Sequence, residues 1–274
     1  MFSDILPPVI VLGITGALLG TLLAFAAKIF AVKQNELFEP ILNALPGANC
    51  GACGFAGCSS YAKAVAEDGA APNLCPVGGN SCASEIASLM GLELQKNTRM
   101  AAYVSCSGGL RAKKSYIYKG ISDCHSAAAL AGGPIDCKYG CLGLGSCVSS
   151  CTFDAIHIRD GVAVVDADAC TACLKCIKTC PKGIIHAVPF NKDINVACSS
   201  HDKGGTLRKV CEIGCIGCRI CEKACAYGAI QITDNLANIN HEKCTGCGEC
   251  AIKCPRNLIV DSKLDRSHGV AAVN

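Results

Sequence analysis

The chain has 274 residues, 25 of them cysteine, no tryptophan, few aromatics and a formal net charge of +3. That length suffices for one or two ordinary domains, but the scarcity of large aromatic side chains argues against a big conventional core, and cysteine at this density points to a disulfide scaffold or a metal protein. Disulfide scaffolds are mostly short and secreted, whereas here the cysteine count is odd and the thiols come in tight CxxC groups, so bound metal is expected to supply much of the folding energy.

The first predicted element is a membrane helix. Val9 to Ala27 reads VIVLGITGALLGTLLAFAA, 19 residues without a charge, which is long enough to span a bilayer. Lys28 and Lys33 follow it and only Asp4 precedes it, so the positive-inside rule places everything after Lys28 in the cytoplasm, as a single-pass protein of the cell membrane. The competing reading is a cleaved signal peptide, with Ala24-Phe25-Ala26 as the cleavage site. Against it stand the missing basic n-region and an apolar run longer than the usual h-region. Gly16 and Gly20 form one GxxxG, the spacing that lets a partner helix approach closely.

Next comes NCGACGFAGCSSYAKAVAEDGAAPNLCP, residues 49 to 76, in which Cys50, Cys53, Cys58 and Cys75 form a CxxCx4C tetrad closed by a distant Cys-Pro. The interleaved glycines permit turns that bare N–H groups toward cluster sulfurs. A helix is expected from about Ser59 to Glu67.

The rest of the chain repeats one phrase. The run CxxCxxCxxxCP wraps three thiolates around one [4Fe–4S] cube and sends the fourth to a neighbouring cube. It occurs at Cys170, Cys173, Cys176, Cys180 and again at Cys244, Cys247, Cys250, Cys254, and without the proline at Cys215, Cys218, Cys221, Cys225. A fourth, altered copy has Cys137, Cys141, Cys147 and Cys151, with Leu144 where a second ligand belongs; Cys137 is the expected substitute. Zinc is the alternative, but zinc sites usually need only two CxxC knuckles, and three such runs leave thiols over. After the first and third runs, AIHIRDGVAVVD and AIQITDNLANIN read as β-hairpins turning at Asp160-Gly161 and Asp234-Asn235. VSCSGG (Val104 to Gly109) resembles VACSSH (Val196 to His201), so residues 100 to 189 and 192 to 265 read as two copies of one two-cluster unit.

The crossed-ligand rule then yields four sets: Cys137, Cys141, Cys147 with Cys180; Cys170, Cys173, Cys176 with Cys151; Cys215, Cys218, Cys221 with Cys254; and Cys244, Cys247, Cys250 with Cys225. With the N-terminal tetrad this makes five clusters. Cys106, Cys124, Cys198 and Cys211 are the candidate ligands of a sixth, the alternative being buried structural thiols, and Cys82 is taken as structural. Loading five or six cubes, each bringing about −2 with its thiolates, turns the mildly basic chain acidic.

The anchor, NCGACGFAGC…CPVGG, CKYGCLGLGSCV and the tandem runs together resemble the B subunit of the Rnf complex in its longer, clostridial-type form, over nearly the whole chain. The resemblance implies an α+β architecture: anchor and juxtamembrane segment at 1–35, an N-terminal [4Fe–4S] domain at 36–95, ferredoxin-like units at 96–189 and 190–265, and a flexible tail at 266–274. It implies a redox subunit of a membrane-bound ferredoxin:NAD+ oxidoreductase coupled to Na+ or H+ translocation. Such a subunit takes electrons from soluble ferredoxin and passes them to multi-span and flavin- or NAD-binding partners. No GxGxxG or Walker A loop occurs, so neither flavin nor nicotinamide is expected on this chain, and no nucleic-acid partner. No catalytic acid–base or nucleophile arrangement is legible. The alternatives are an anchored reductase module serving an iron–sulfur regulator, and a zinc-bearing scaffold. Lys175, Lys178, Lys182, Arg219, Lys223, Lys253 and Arg256 lie in or beside the runs, where they would steer an acidic ferredoxin.

Overall fold

The computed structural model describes residues 2–29, 35–94 and 98–261. Lys33 and the predicted tail at 266–274 lie outside the described residues.

Helix α1 (Phe2–Ile29) contains the predicted span. Its 28 residues reach about 42 Å at ~1.5 Å per residue, more than a bilayer's hydrocarbon core. The window Ile10–Ile29 has a mean hydropathy of 2.2 and is not buried against the rest of the protein, so its length and composition suit it to cross a membrane. The two hydroxyls in this stretch are satisfied within the helix: Thr15 Oγ1 donates to the Val11 carbonyl at 2.8 Å and Thr21 Oγ1 to that of Ala17 at 3.0 Å. An apolar medium demands such internal partners.

Three helices follow: α2 (Phe38–Ala44), α3 (Cys58–Asp68) and α4 (Gly79–Met90). The sequence places a helix at Ser59–Glu67, and α3 extends it by one residue at each end. Glycines in left-handed conformation, Gly69 and Gly91, stop α3 and α4, the usual helix terminator because glycine has no Cβ to clash there. Ile41, Tyr61, Ala62, Val65, Cys82 and Ile86 close a small core between the three helices.

From Met100 onward the chain is short strands and single-turn helices. Strand β1 (Met100–Val104) is followed by α5 (Cys124–Ala129) and α6 (Ser146–Ser149). Then come β2 (Ile156–Arg159), β3 (Val162–Val165), α7 (Lys175–Thr179) and β4 (Ile185–Pro189). Strands β2 and β3 are the predicted hairpin, and β1 returns antiparallel onto β4 with Met100 opposite Pro189 and Val104 opposite Ile185. The same plan recurs in β5 (Ile194–Val196), α8 (Gly204–Val210), α9 (Ile220–Ala224), β6 (Ile230–Thr233), β7 (Leu236–Ile239), α10 (Glu249–Ile252) and β8 (Ile259–Asp261). Here β6–β7 is the hairpin and β5 pairs with β8. Both hairpin turns carry positive φ at two successive residues, Asp160 and Gly161 in one, Asp234 and Asn235 in the other. That is the type I′ geometry whose twist matches the flanking strands.

Each of these halves has its own core. Ala101, Ala155, Ile156, Ala163, Ile184 and Ile185 fill the first. Ile194, Ile230, Ala237 and Ile259 fill the second. The side chains are small because much of each interior is given to cysteine: Cys147, Cys170 and Cys176 belong to the first core, Cys221 and Cys250 to the second.

Candidate iron–sulfur centres

The four cysteine runs share one backbone path. The residue after the first CxxC spacing has begun is left-handed in all four: Gly143, Ala172, Gly217 and Gly246. Two residues on, Gly145, Leu174, Arg219 and Gly248 are left-handed too and start the single-turn helices α6, α7, α9 and α10. Three residues beyond each run's last cysteine a third such turn falls at Asp154, Gly183, Gly228 and Asn257. An L-residue pays about 1–2 kcal/mol to sit there, so Ala172, Leu174 and Arg219 mark a conformation imposed by the loop. These turns fold each run around a hollow and hold its thiols at the rim. The altered run keeps every one of them although Leu144 has replaced its cysteine.

The structure places the predicted ligands accordingly. Cys50, Cys53, Cys58 and Cys75 line one cavity, with Gly51, Tyr61 and Pro76. Cys151, Cys170, Cys173 and Cys176 line a second. Cys215, Cys218, Cys221 and Cys254 line a third, and Cys225, Cys244, Cys247 and Cys250 a fourth. In the last three the final cysteine comes from the neighbouring run, the crossing that the motif implies. Each of the four cavities encloses between 300 and 360 Å³ of non-atom space, solvent-facing volume included.

The remaining thiols are sorted differently from the sequence-based assignment. Cys147 is flanked by Cys141, Cys124 and Cys180. Cys137, expected there, lines another cavity, of about 370 Å³, together with Cys106, Cys198 and Cys211. Cys124 and Cys137 have exchanged places. The cause is a polar staple. Asp123 caps α5, its carboxylate accepting the Ser126 N–H at 2.8 Å, and it also accepts from Ser146 Oγ at 2.8 Å. Ser146 Oγ in turn accepts the Cys124 N–H at 2.7 Å, and Ser122 Oγ reaches the Leu144 carbonyl at 3.5 Å. Residues 122–124 are thereby pinned on the stretch that lacks its cysteine. The capping pattern Asp123-Cys-His-Ser126 was the only local signal that could have pointed to Cys124.

Backbone N–H groups are aimed at several sulfurs. Cys170 Sγ accepts from Ala102 and Ala172, both at 3.4 Å. Cys75 Sγ accepts from Gly78 at 3.4 Å and Cys225 Sγ from Ala229 at 3.3 Å. Such bonds favour a negatively charged sulfur. At Cys225 burial is the largest single influence and raises the thiol, but the backbone N–H groups of Ala229, Tyr227, Ile230 and Gly228 together outweigh it and hold the thiol below its ordinary range. Burial does the opposite to Cys147, pushed up to about 12, and to Cys176, Cys221 and Cys250, each pushed up to about 11, with neighbouring thiols adding to the rise. Thiols so placed stay protonated at neutral pH unless a cation displaces the proton.

The donor geometry decides between metal types. Among the described residues no three His, Cys, Asp or Glu side chains converge on a single-ion site. Four thiols spread around each hollow suit a multi-atom core such as an iron–sulfur cube and not a lone zinc ion, which needs four ligands at about 2.0–2.3 Å.

Cys82 is buried beside the N-terminal tetrad, and its thiol shares a hydrogen bond with Cys75. That bond, ahead of a burial cost, brings Cys75 down to about 6, and it pushes Cys82 up. Of the seven basic residues in the runs, Lys182 and Arg256 are partly buried and bonded to backbone carbonyls, while Arg219 is exposed. Lys182 Nζ donates to the Gly132 carbonyl at 2.6 Å and that of Lys138 at 2.8 Å. Arg256 Nε reaches the Gly214 carbonyl at 3.3 Å, and Arg219 pairs with Glu222 at 3.9 Å. Lys178, Lys223 and Lys253 are exposed.

Comparison with known proteins agrees with this chemistry. Residues 45–77 match the family described as "Putative Fe-S cluster", residues 163–186 a 4Fe-4S binding domain and residues 214–258 a 4Fe-4S dicluster domain. The chain is 43% identical over 261 residues to the B subunit of the ion-translocating oxidoreductase complex of Methanosarcina acetivorans, covering 94% of this chain and 99% of that one. It is 43% identical to the B subunit of the Na(+)-translocating ferredoxin:NAD(+) oxidoreductase complex of Acetobacterium woodii, covering 94% and 78%. It is 41% identical to the B subunit of the proton-translocating ferredoxin:NAD(+) oxidoreductase complex of Clostridium ljungdahlii, covering 91% and 90%.

Proposed function

Since the chain belongs to the family of B subunits of ion-translocating ferredoxin:NAD(+) oxidoreductase complexes, we propose that it is the iron–sulfur relay by which reduced ferredoxin feeds the membrane part of such a complex. The chain is an electron-transfer subunit, it carries 4Fe-4S domains, and it is associated with a membrane complex. Beyond that, five [4Fe–4S] clusters are assigned as follows. Cys50, Cys53, Cys58 and Cys75 hold the N-terminal one, which follows the anchor and sits nearest the membrane. Cys141, Cys147, Cys180 and Cys124 hold the next. Cys170, Cys173, Cys176 and Cys151, then Cys215, Cys218, Cys221 and Cys254, then Cys244, Cys247, Cys250 and Cys225 hold the other three. The observation that carries the assignment is the lining of the cavities, four thiols around each of four hollows.

A cluster so held supplies one-electron oxidation and reduction. The chain supplies everything that sets its poise. Thiolates anchor it, the N–H groups of Ala102, Ala172, Gly78 and Ala229 stabilise charge on the ligand sulfurs, and the apolar walls of Ile156, Ile230 and Leu258 keep water away. Cys218 and Cys247 are exposed where the other ligands are not, which makes the edge of the second half the point where an electron enters or leaves. Exposed Lys223 and Lys253 flank that edge and suit an acidic ferredoxin. We divide the chain into an anchor to residue 35, an N-terminal cluster domain to 95, and ferredoxin-like units at 96–189 and 190–265; the pairing of β1 with β4 and of β5 with β8 supports the last two. The bulk of the chain lies on the cytoplasmic side. Multi-span subunits and a flavin- and nicotinamide-binding subunit complete the assembly, which moves Na+ or H+.

Anaerobic purification of the full chain in detergent tests this reading. About 20 irons per chain or more, with matching acid-labile sulfide, and reduction by ferredoxin that slows as salt rises are expected. A colourless, zinc-bearing preparation that ferredoxin cannot reduce would sink it.

A further inference from the structure

We propose that Cys106, Cys137, Cys198 and Cys211 hold a further [4Fe–4S] cluster that bridges the two halves, two thiolates from each; the inference rests on the relay reading above. The four line one cavity, which Cys141 of the flanking run also borders, and the four are related by the internal repeat. Cys106 and Cys198 stand at the same position of VSCSGG and VACSSH, and Cys137 and Cys211 at the same position of CKYGC and CEIGC. The site is therefore pseudo-symmetric, each half contributing the same pair.

Symmetry extends to the hydrogen bonds. Cys106 Sγ accepts the Gly108 N–H and the Cys141 N–H, both at 3.4 Å. Cys198 Sγ accepts the Ser200 N–H at 3.5 Å and the Cys215 N–H at 3.4 Å. Two N–H donors on one sulfur is the arrangement found at Cys170, inside a regular ligand run. A buried thiol kept only for packing has no use for two donors, since it acts as a small apolar group and a weak acceptor. Gly108 borders the cavity: a Cβ there would lie at ordinary contact distance, 3.5 Å from Cys211 Sγ and 3.6 Å from Cys106 Sγ. The two halves are locked together at this place. Ala112 forms a β-bridge with Cys211, the Lys113 N–H donates to the Val210 carbonyl at 2.9 Å, Ser199 Oγ donates to the Ser105 carbonyl at 2.8 Å, and Lys138 pairs with Asp202 at 3.2 Å.

The site also touches a neighbouring ligand set on either side. The donors to Cys106 and Cys198 are Cys141 and Cys215, the first ligands of the flanking runs. A cluster held here occupies the gap between the relay of the first half and that of the second.

Iron counting on the anaerobically purified full chain tests the site. The wild type should hold about 24 irons, and the double variant Cys106→Ala/Cys198→Ala about four fewer. Adding Cys137→Ala to that background should remove no more, because the same cluster is already gone, whereas adding Cys124→Ala should remove about four more. An EPR spectrum of the dithionite-reduced protein should lose one spin system in the double variant. A wild type with about 20 irons, still reducible by ferredoxin, overturns the bridging site and leaves the relay reading intact; an iron-poor wild type overturns both. If Cys124→Ala costs nothing further and Cys137→Ala does, the ligand set is wrong. Should the double variant fail to accumulate, the wild-type count alone decides.

Discussion

The backbone N–H of Cys124 donates to Ser146 Oγ at 2.7 Å, and through that bond a cysteine from outside the motif is delivered to the run that has lost one of its own. If Cys124 stands in for the missing thiol, restoring that thiol should make Cys124 dispensable. Cys124→Ala is expected to lose one cluster, about four irons per chain, and Leu144→Cys in the same chain to restore it. Leu144→Cys should not rescue Cys137→Ala. Iron and sulfide analysis of the three variants checks this, and rescue of Cys137→Ala in place of Cys124→Ala would reverse the exchange.

Tyr61 organises the N-terminal loop from beneath. It is 1% exposed, its hydroxyl donates to the Ala71 carbonyl at 2.7 Å and accepts the Leu74 N–H at 3.2 Å, one residue before the ligand Cys75. Burial pushes its phenol up to about 12, so it remains a neutral donor at every physiological pH. Tyr61→Phe leaves a buried donor and acceptor unpaired, which costs about 1–3 kcal/mol. A lowered melting temperature and faster bleaching of one cluster in chelator are expected. Unchanged bleaching would mean that the loop holds Cys75 without the tyrosine.

Cys82 is a neighbour of the N-terminal tetrad and not one of its ligands in this assignment. Cys82→Ala should therefore keep the iron count. With Cys75 bound to iron, the Cys82 thiol donates to a charged sulfur and favours the reduced, more negative state, so its removal should lower the midpoint potential of one cluster in an EPR redox titration. Gly78→Ala is expected to be worse, because its Cβ would lie 2.5 Å from Cys82 Cβ and 2.7 Å from Cys82 Sγ. Loss of four irons in Cys82→Ala would make it a ligand after all.

The cluster-free, reduced protein should be sensitive to alkali. Cys176, Cys221 and Cys250 titrate near 11 in the fold, raised from an ordinary thiol value of 9.0 by burial. A group with a raised folded pKa contributes stability that is whole below its unfolded value and is lost as pH climbs through the folded one. Thermal melts of chelator-stripped protein are thus expected to fall between about pH 9 and 11, while loaded protein, whose thiols are already deprotonated on iron, should hardly respond there. Equal alkaline sensitivity of the two forms would contradict the placement of these thiols in the metal sites.

Much of this protein is written locally. The apolar run at Val9–Ala27 made α1 legible, the Asp160-Gly161 and Asp234-Asn235 turns made both hairpins legible, and the repeated cysteine spacing put three thiols on one loop wherever it occurred. Local spacing suffices there because three neighbours in the chain are brought together by turns of a few residues, and those turns hold even where Leu144 has replaced a cysteine. What spacing could not decide was the partner from far away. Cys137 opens the altered run and aligns with Cys211 of the third, whereas Cys124 lies upstream of the run with no counterpart in the motif. Tertiary contacts separated them: the Asp123–Ser146 staple drew Cys124 onto the run, and the bridge from Ala112 to Cys211 drew the two halves together around Cys106, Cys137 and Cys198. A fourth ligand is chosen by which distant segment the packing brings within reach, and that is a property of the folded chain.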